Sequence, residues 1–152
     1  MIQLKQFIPK EYCLACQGCC RFGQQDSVWL PQLLEEEKNR LGKIRILPDP
    51  GQGNFICGFL NKESNKCKIY HLRPFECQLY PFIFNRQNNK VFFAADLKCL
   101  FVKEHLQSQE FKEHARRLTE LIKSPSFINI LKNNPLLIQT YIGVLSLEEL
   151  EM

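Results

Sequence analysis

The spacing of apolar and polar positions changes twice along the chain. Over residues 31–41, Leu33, Leu34 and Leu41 can share one face, which predicts a helix. Pro31 suits its first position, Glu35 and Glu36 lie near its positive end, Lys38 and Arg40 near its negative end, and Gly42 offers a stop. From residue 43 to 96 the pattern becomes short apolar runs divided by turn residues. Residues 44–47 and 55–60 read as strands around the turn-rich PDPGQGN, and 80–84 and 91–95 as a hairpin around residues 85–90. Beyond Cys99 the period is helical again. Phe111, Ala115, Leu118 and Ile122 fall on one face between two Ser/Pro-rich breaks, and residues 136–150 read as a further helix. Trp29, ahead of the first helix, reads as a core anchor.

These elements predict an α+β fold: a small, irregular cysteine-cluster domain with short strands over residues 1–100, then a helical tail over residues 101–152 packed on it. A chain of 152 residues has room for one ordinary domain, and no solenoid-length repeat or Gly/Ser linker divides it. Hydrophobic residues at 45% and charged residues at 24% exclude a disordered or low-complexity chain. The apolar stretch at 135–147 is broken by Gln139 and Thr140 and falls short of the ~18 residues a membrane helix needs. The opening MIQLKQFIPK lacks the apolar run of a secretory signal, so the expectation is a soluble, cytoplasmic protein without a membrane partner.

Eight cysteines change the picture. In a reducing compartment, clustered thiols are held by metal rather than by one another. The formal net charge of +4 would fall to near zero with eight thiolates and two divalent ions. The basic residues are also scattered, so charge gives no support to a nucleic-acid partner. Cys13-Leu-Ala-Cys16-Gln-Gly-Cys19-Cys20 presents overlapping CxxC units. Two intervening residues let a tight turn aim both sulfurs at one ion, and Gly18 supplies the freedom such a turn needs. A redox dithiol needs two thiols; four within eight residues point to metal. Cys57, Cys67, Cys77 and Cys99 have no CxxC partner and become ligands only where the fold returns them to the first cluster.

The run CxxCxxCC, then Cys57-Gly-Phe-Leu, Cys67-Lys-Ile-Tyr-His-Leu-Arg-Pro-Phe-Glu-Cys77, Tyr80-Pro81-Phe82 and a late Cys99 resembles the YkgJ-type cysteine-cluster family. That family is described as zinc- or iron-chelating and as iron–sulfur-containing, with a similar domain in flagellin lysine-N-methylases. The resemblance covers residues 12–100 and implies Cys13, Cys16, Cys19, Cys20, Cys57, Cys67, Cys77 and Cys99 as the ligand positions. It departs from the common pattern at Tyr80, where phenylalanine is usual, and at Leu100 and Phe101, where a glycine often follows the last cysteine.

All-thiolate ligation excludes Mg²⁺ and Ca²⁺ and leaves zinc or iron–sulfur. Eight cysteines make two Cys₄ zinc sites by count. CxxCxxC with a remote fourth cysteine is the ferredoxin-like arrangement for a [4Fe–4S] cluster and tips the expectation slightly to iron–sulfur. Cys19 and Cys20, adjacent in sequence, cannot both point the same way from extended backbone, so one joins Cys13 and Cys16 on a first centre while the other serves a second centre or bridges, or else Cys20 is a free, buried small side chain.

Other residues read as structural. Arg73 belongs to the outer shell of the cluster or pairs with Glu76, Tyr70 and Tyr80 are core aromatics, His105 and His114 lie exposed on the tail, and His71 is left out of the ligand set. No HExxH, GxSxG, GxGxxG or P-loop pattern is present in the sequence. Three functions follow: a metal-centre protein serving structure, storage or electron transfer; an enzyme of lysine-N-methylase-like or oxidoreductase type built on that centre; or a zinc-stabilised module that meets a protein partner through its helical tail.

Overall fold

The computed structural model describes residues 3–16 and 20–152, and the chain forms two compact units, Met1–Gln78 and Leu79–Met152.

The first unit runs α1 (Lys10–Ala15), β1 (Arg21–Phe22), α2 (Glu35–Leu41), β2 (Ile46–Asp49), β3 (Asn54–Cys57), β4 (Leu60–Asn61), β5 (Lys66–Cys67), a 3-10 turn (Tyr70–Leu72) and α3 (Phe75–Leu79), whose last residue opens the second unit. Strands β1, β3 and β2 form an antiparallel sheet in that order, and β4 and β5 form a separate ribbon. The expected strand over 55–60 is cut after Cys57. There the Gly58 N–H donates to the Arg45 carbonyl at 2.7 Å, and a Cβ on Gly58 would stand 3.1 Å from that oxygen. Phe22, Cys57 and Leu60 form a small core that Trp29, Leu30, Ile46, Phe55 and Phe59 cover, so Trp29 is a core anchor as expected.

Helix α2 starts at Glu35 rather than Pro31. The Glu37 carboxylate turns back to accept the Leu34 N–H at 2.9 Å, satisfying a donor that the helix start leaves unpaired, and this sets the boundary. Gly42 ends the helix at φ 73°, with its N–H on the Lys38 carbonyl.

The second unit holds β6 (Phe82–Gln87), β7 (Lys90–Asp96), α4 (Leu100–His105), α5 (Gln109–Ile122), α6 (Pro125–Asn133), a 3-10 turn (Pro135–Leu137), β8 (Ile138–Gln139) and β9 (Val144–Leu150). Its sheet order is β8-β6-β7-β9. Asn88 and Asn89 make the β6–β7 turn with φ 52° and 62°, the left-handed pair that a two-residue hairpin requires. The Ser/Pro-rich breaks are caps: the hydroxyl oxygens of Ser108 and Ser124 accept the N–H groups of Phe111 and Phe127. Phe111, Ala115, Leu118 and Ile122 are buried along α5 as the periodicity predicts, and Phe82 stacks on Phe93 and Phe111 at 5.4 and 5.9 Å.

The fold is therefore α+β, with helices toward the C-terminus. The expected helix at 136–150 is instead a 3-10 turn and two strands. Gly143 bends the chain at φ 73°, and β9 adds to β7, burying Leu150. Pairing with an existing sheet outweighed an apolar pattern that fits either period.

Candidate metal centre

Strand pairing gathers the cysteines of the first unit. Because Arg21 lies opposite Ile56, Cys20 meets Cys57, whose N–H donates to the Cys20 carbonyl at 3.0 Å. After Cys57 the reversal at Gly58 turns the backbone N–H groups of Phe59 and Leu60 onto the Cys57 sulfur. Such bonds favour the thiolate, the form that binds metal. Leu60 pairs with Cys67, and the Lys68 N–H donates to the Phe59 carbonyl at 2.7 Å, which fixes the second ribbon beside that turn. Cys77 sits mid-way along α3.

Burial and neighbouring thiols act together on these cysteines. Burial pushes the Cys20 thiol up to about 12, helped by Cys57, Cys67 and Cys13 and opposed by Arg21. Burial raises Cys77 well above the usual thiol range, followed by Cys20, Glu76, Cys57 and Cys67. Cys57 is raised by burial, with the Phe59 and Leu60 N–H groups working against it and Cys67 adding to it. Each of the six pairs among Cys20, Cys57, Cys67 and Cys77 therefore interacts, although the four come from separate stretches of chain. Burial first, and neighbouring cysteines after it, disfavour the thiolates of Cys20, Cys57 and Cys77, and a cation bound among them would offset that cost. Among the described residues, no three His, Cys, Asp or Glu side chains form a group that could hold a metal ion as they stand. Cys16, Cys20, Cys57, Cys67 and Cys77 are free thiols.

The remaining ligand candidates divide. Cys13 lies in α1 and acts on Cys20, and Cys16 ends that helix with its N–H on the Tyr12 carbonyl. Cys19 and Gly18 lie outside the described residues. Cys99 is buried in the second unit, at the start of α4, with its N–H on the Asp96 carbonyl at 3.3 Å.

Two groups beside the cysteines escaped the sequence reading. Asn65, in the β4–β5 turn, donates from Nδ2 to the Leu14 and Cys16 carbonyls at 2.7 and 2.8 Å, while its Oδ1 accepts from Arg21 Nη1 at 2.8 Å. Its one sequence signal is an asparagine in a turn, a residue type that tolerates the left-handed φ of 57° found there. Glu76 and the buried Glu37 form a carboxylate pair next to Cys77. Burial first, and Glu37 as well, push the Glu76 carboxyl up to about 8, against the bond from the Gln32 N–H.

Arg73 does not pair with Glu76. It donates to the Tyr70 carbonyl and Gln6 Oε1 and lies 4.0 Å from the centre of the Tyr70 ring, because Glu76 is turned inward to Gln32. Tyr80 is structural as expected, its hydroxyl donating to the buried Asp96 at 2.7 Å. His71 is exposed. His105 and His114 are half-buried rather than exposed, because His105 stacks on Phe101 at 4.0 Å and His114 lies against Phe82 at 5.7 Å.

Cysteines carried on paired strands of a small α+β fold, with a CxxC segment in the same unit, are the residue type of thiolate metal sites. Residues 12–100 match the family model "CxxCxxCC: Putative zinc- or iron-chelating domain", and the chain belongs to that family. The domain supports metal-ion binding. The chain is also similar to the uncharacterized protein MJ0661 of Methanocaldococcus jannaschii, 42% identical over 41 residues. That match covers 27% of this chain and 22% of the relative. No solved structure matches the chain. No helix among the described residues is long and apolar enough to cross a membrane.

Proposed function

We propose that the cysteines hold an iron–sulfur centre serving structure and electron transfer, with Cys20, Cys57, Cys67 and Cys77 as one four-thiolate ligand set. The observation that carries the reading is the strand pairing that sets Cys20 beside Cys57 and fixes the Cys67 ribbon at the turn after it, with Cys77 raised by burial and by all three. The N–H groups directed at the Cys57 sulfur add to it, since hydrogen bonds to cluster sulfurs tune potential. Cys13 and Cys16 begin the CxxCxxC run, and Cys19 and Cys99 complete the proposed ligands. We place the protein in the cytoplasm, where the thiols would stay reduced.

A four-cysteine set also suits zinc, which makes a zinc-held interaction module the second reading. Anaerobic purification with visible absorption, labile-sulfide assay and metal analysis separates them. Brown protein with stoichiometric sulfide supports iron–sulfur. Colourless protein with about two zinc ions per chain, the number eight cysteines can hold as Cys₄ sites, overturns it in favour of zinc. Protein that takes up neither metal overturns both.

A further inference from the structure

We propose that Asn65 is a positioning residue for the metal centre, clasping the Cys13–Cys16 loop against the ribbon that carries Cys67. The inference rests on the metal reading above and deepens it.

The CxxC segment leaves helix α1 at Ala15 and becomes extended at Cys16, so the carbonyls of Leu14 and Cys16 have lost the regular helical pattern. Both are taken by the two hydrogens of one amide, Asn65 Nδ2, at 2.7 and 2.8 Å, with the Cys13 carbonyl at 3.5 Å. The other end of that amide is held in turn: Arg21 Nη1 donates to Asn65 Oδ1 at 2.8 Å. This contact fixes which way the amide faces, because only the oxygen can accept from a guanidinium. Arg21 directly follows Cys20, and Asn65 stands two residues before Cys67. One side chain thus ties together the chain segments of Cys13, Cys16, Cys20 and Cys67. The thiols in these segments must hold their spacing for one centre to bind them, and groups that orient ligands in this way commonly change metal affinity about 10–100-fold when removed.

The left-handed backbone of Asn65 allows the clasp to be separated from the turn. Glycine adopts φ 57° without strain, so Asn65→Gly keeps the turn and removes the donors. Asn65→Asp keeps an acceptor for Arg21 and tolerates the same φ, but replaces the donating amide with an oxygen facing two carbonyls.

The full chain is loaded with Co²⁺ alone under anaerobic conditions. Thiolate-to-metal absorption is recorded, and metal release to a chelator is timed, with far-UV circular dichroism as the check on fold. For Asn65→Gly we expect an unchanged dichroism spectrum, a shifted Co²⁺ spectrum and metal release about 10–100-fold faster than wild type. Asn65→Asp should behave in the same way, and it decides the matter if the glycine variant does not fold. A folded variant with the wild-type spectrum and release rate overturns the clasp while leaving the metal reading intact. A wild-type chain that takes up no Co²⁺ and shows no thiolate absorption overturns the clasp as a device for a thiolate ion site, while the iron, sulfide and zinc analysis described above decides the metal reading separately.

Discussion

The Glu37 carboxylate accepts the backbone N–H of Phe75 at 2.6 Å, joining the start of α2 to the first residue of the helix that carries Cys77. The tie is reciprocal. Glu76, beside Phe75, accepts the N–H of Gln32, three residues before α2. Glu37 uses both oxygens, one for Phe75 and one for Leu34. Such a brace needs carboxylates in a buried place, which is costly unless each oxygen is met by a donor.

Glu37→Gln tests this. An amide has one acceptor oxygen where the carboxylate has two, so one of the two buried N–H groups loses its partner. We expect a loss of about 1–3 kcal/mol in urea unfolding. A change below a few tenths of a kcal/mol would mean that water replaces the bond.

Ligands should separate from bystanders by metal content. Cys16→Ser, Cys57→Ser and Cys77→Ser should each lower metal stoichiometry and thermal stability together, since binding contributes to folding. His71→Ala should leave both nearly unchanged, as its side chain is exposed. Metal analysis of the purified variants is the measurement, and lost metal in His71→Ala would point to a mixed Cys/His centre.

The raised thiols give a pH signature. A thiol with a higher pKa in the folded chain than in the unfolded one keeps its proton longer when folded. The stabilising difference is complete below the unfolded value, near 8.5, and is lost as pH rises toward about 12, the folded value of Cys20. The metal-free chain should therefore lose stability from about pH 8.5 upward, and the loaded chain, already holding thiolates, much less. Loading should also release protons and weaken as pH falls. Equilibrium unfolding at several pH values, with and without metal, checks this; equal slopes for the two forms would contradict it.

Gly58→Ala should strain the turn that aims two N–H groups at Cys57, because the new Cβ meets the Arg45 carbonyl at 3.1 Å and the Arg45 Cβ at 3.2 Å. The expected cost is about 1–3 kcal/mol with weakened metal retention, read by thermal unfolding and chelator challenge. Full retention at wild-type stability would show that the turn relaxes freely.

In the second unit, Asn89→Ala should destabilise the β6–β7 hairpin by about 1–2 kcal/mol, while Asn89→Gly should be nearly neutral. The φ of 62° penalises a Cβ but not glycine. Denaturant unfolding of the two variants makes the comparison.

Much of this was legible from local chemistry. The CxxCxxCC run, the family it belongs to, the β2–β3 and β6–β7 hairpins and the buried face of α5 depend on residues near one another in sequence, where spacing and turn residues carry the information. Gly42 as a helix stop and Tyr80 as a satisfied core aromatic were likewise readable. Other features arose only through contacts between distant residues. The C-terminal strand β9 had an apolar pattern compatible with helix and became strand because β7 offered it an edge. The start of α2, by contrast, is set by a local tie, Glu37 on the Leu34 N–H, which hydrophobic spacing does not report. The grouping of Cys20, Cys57, Cys67 and Cys77, the clasp of Asn65 on residues about 50 positions away and the Glu37–Phe75 brace leave no periodic trace. Hydrophobic spacing reports which face of an element is buried. It carries no record of which distant donor, acceptor or thiol that face will meet, and those meetings are what tertiary packing decided here.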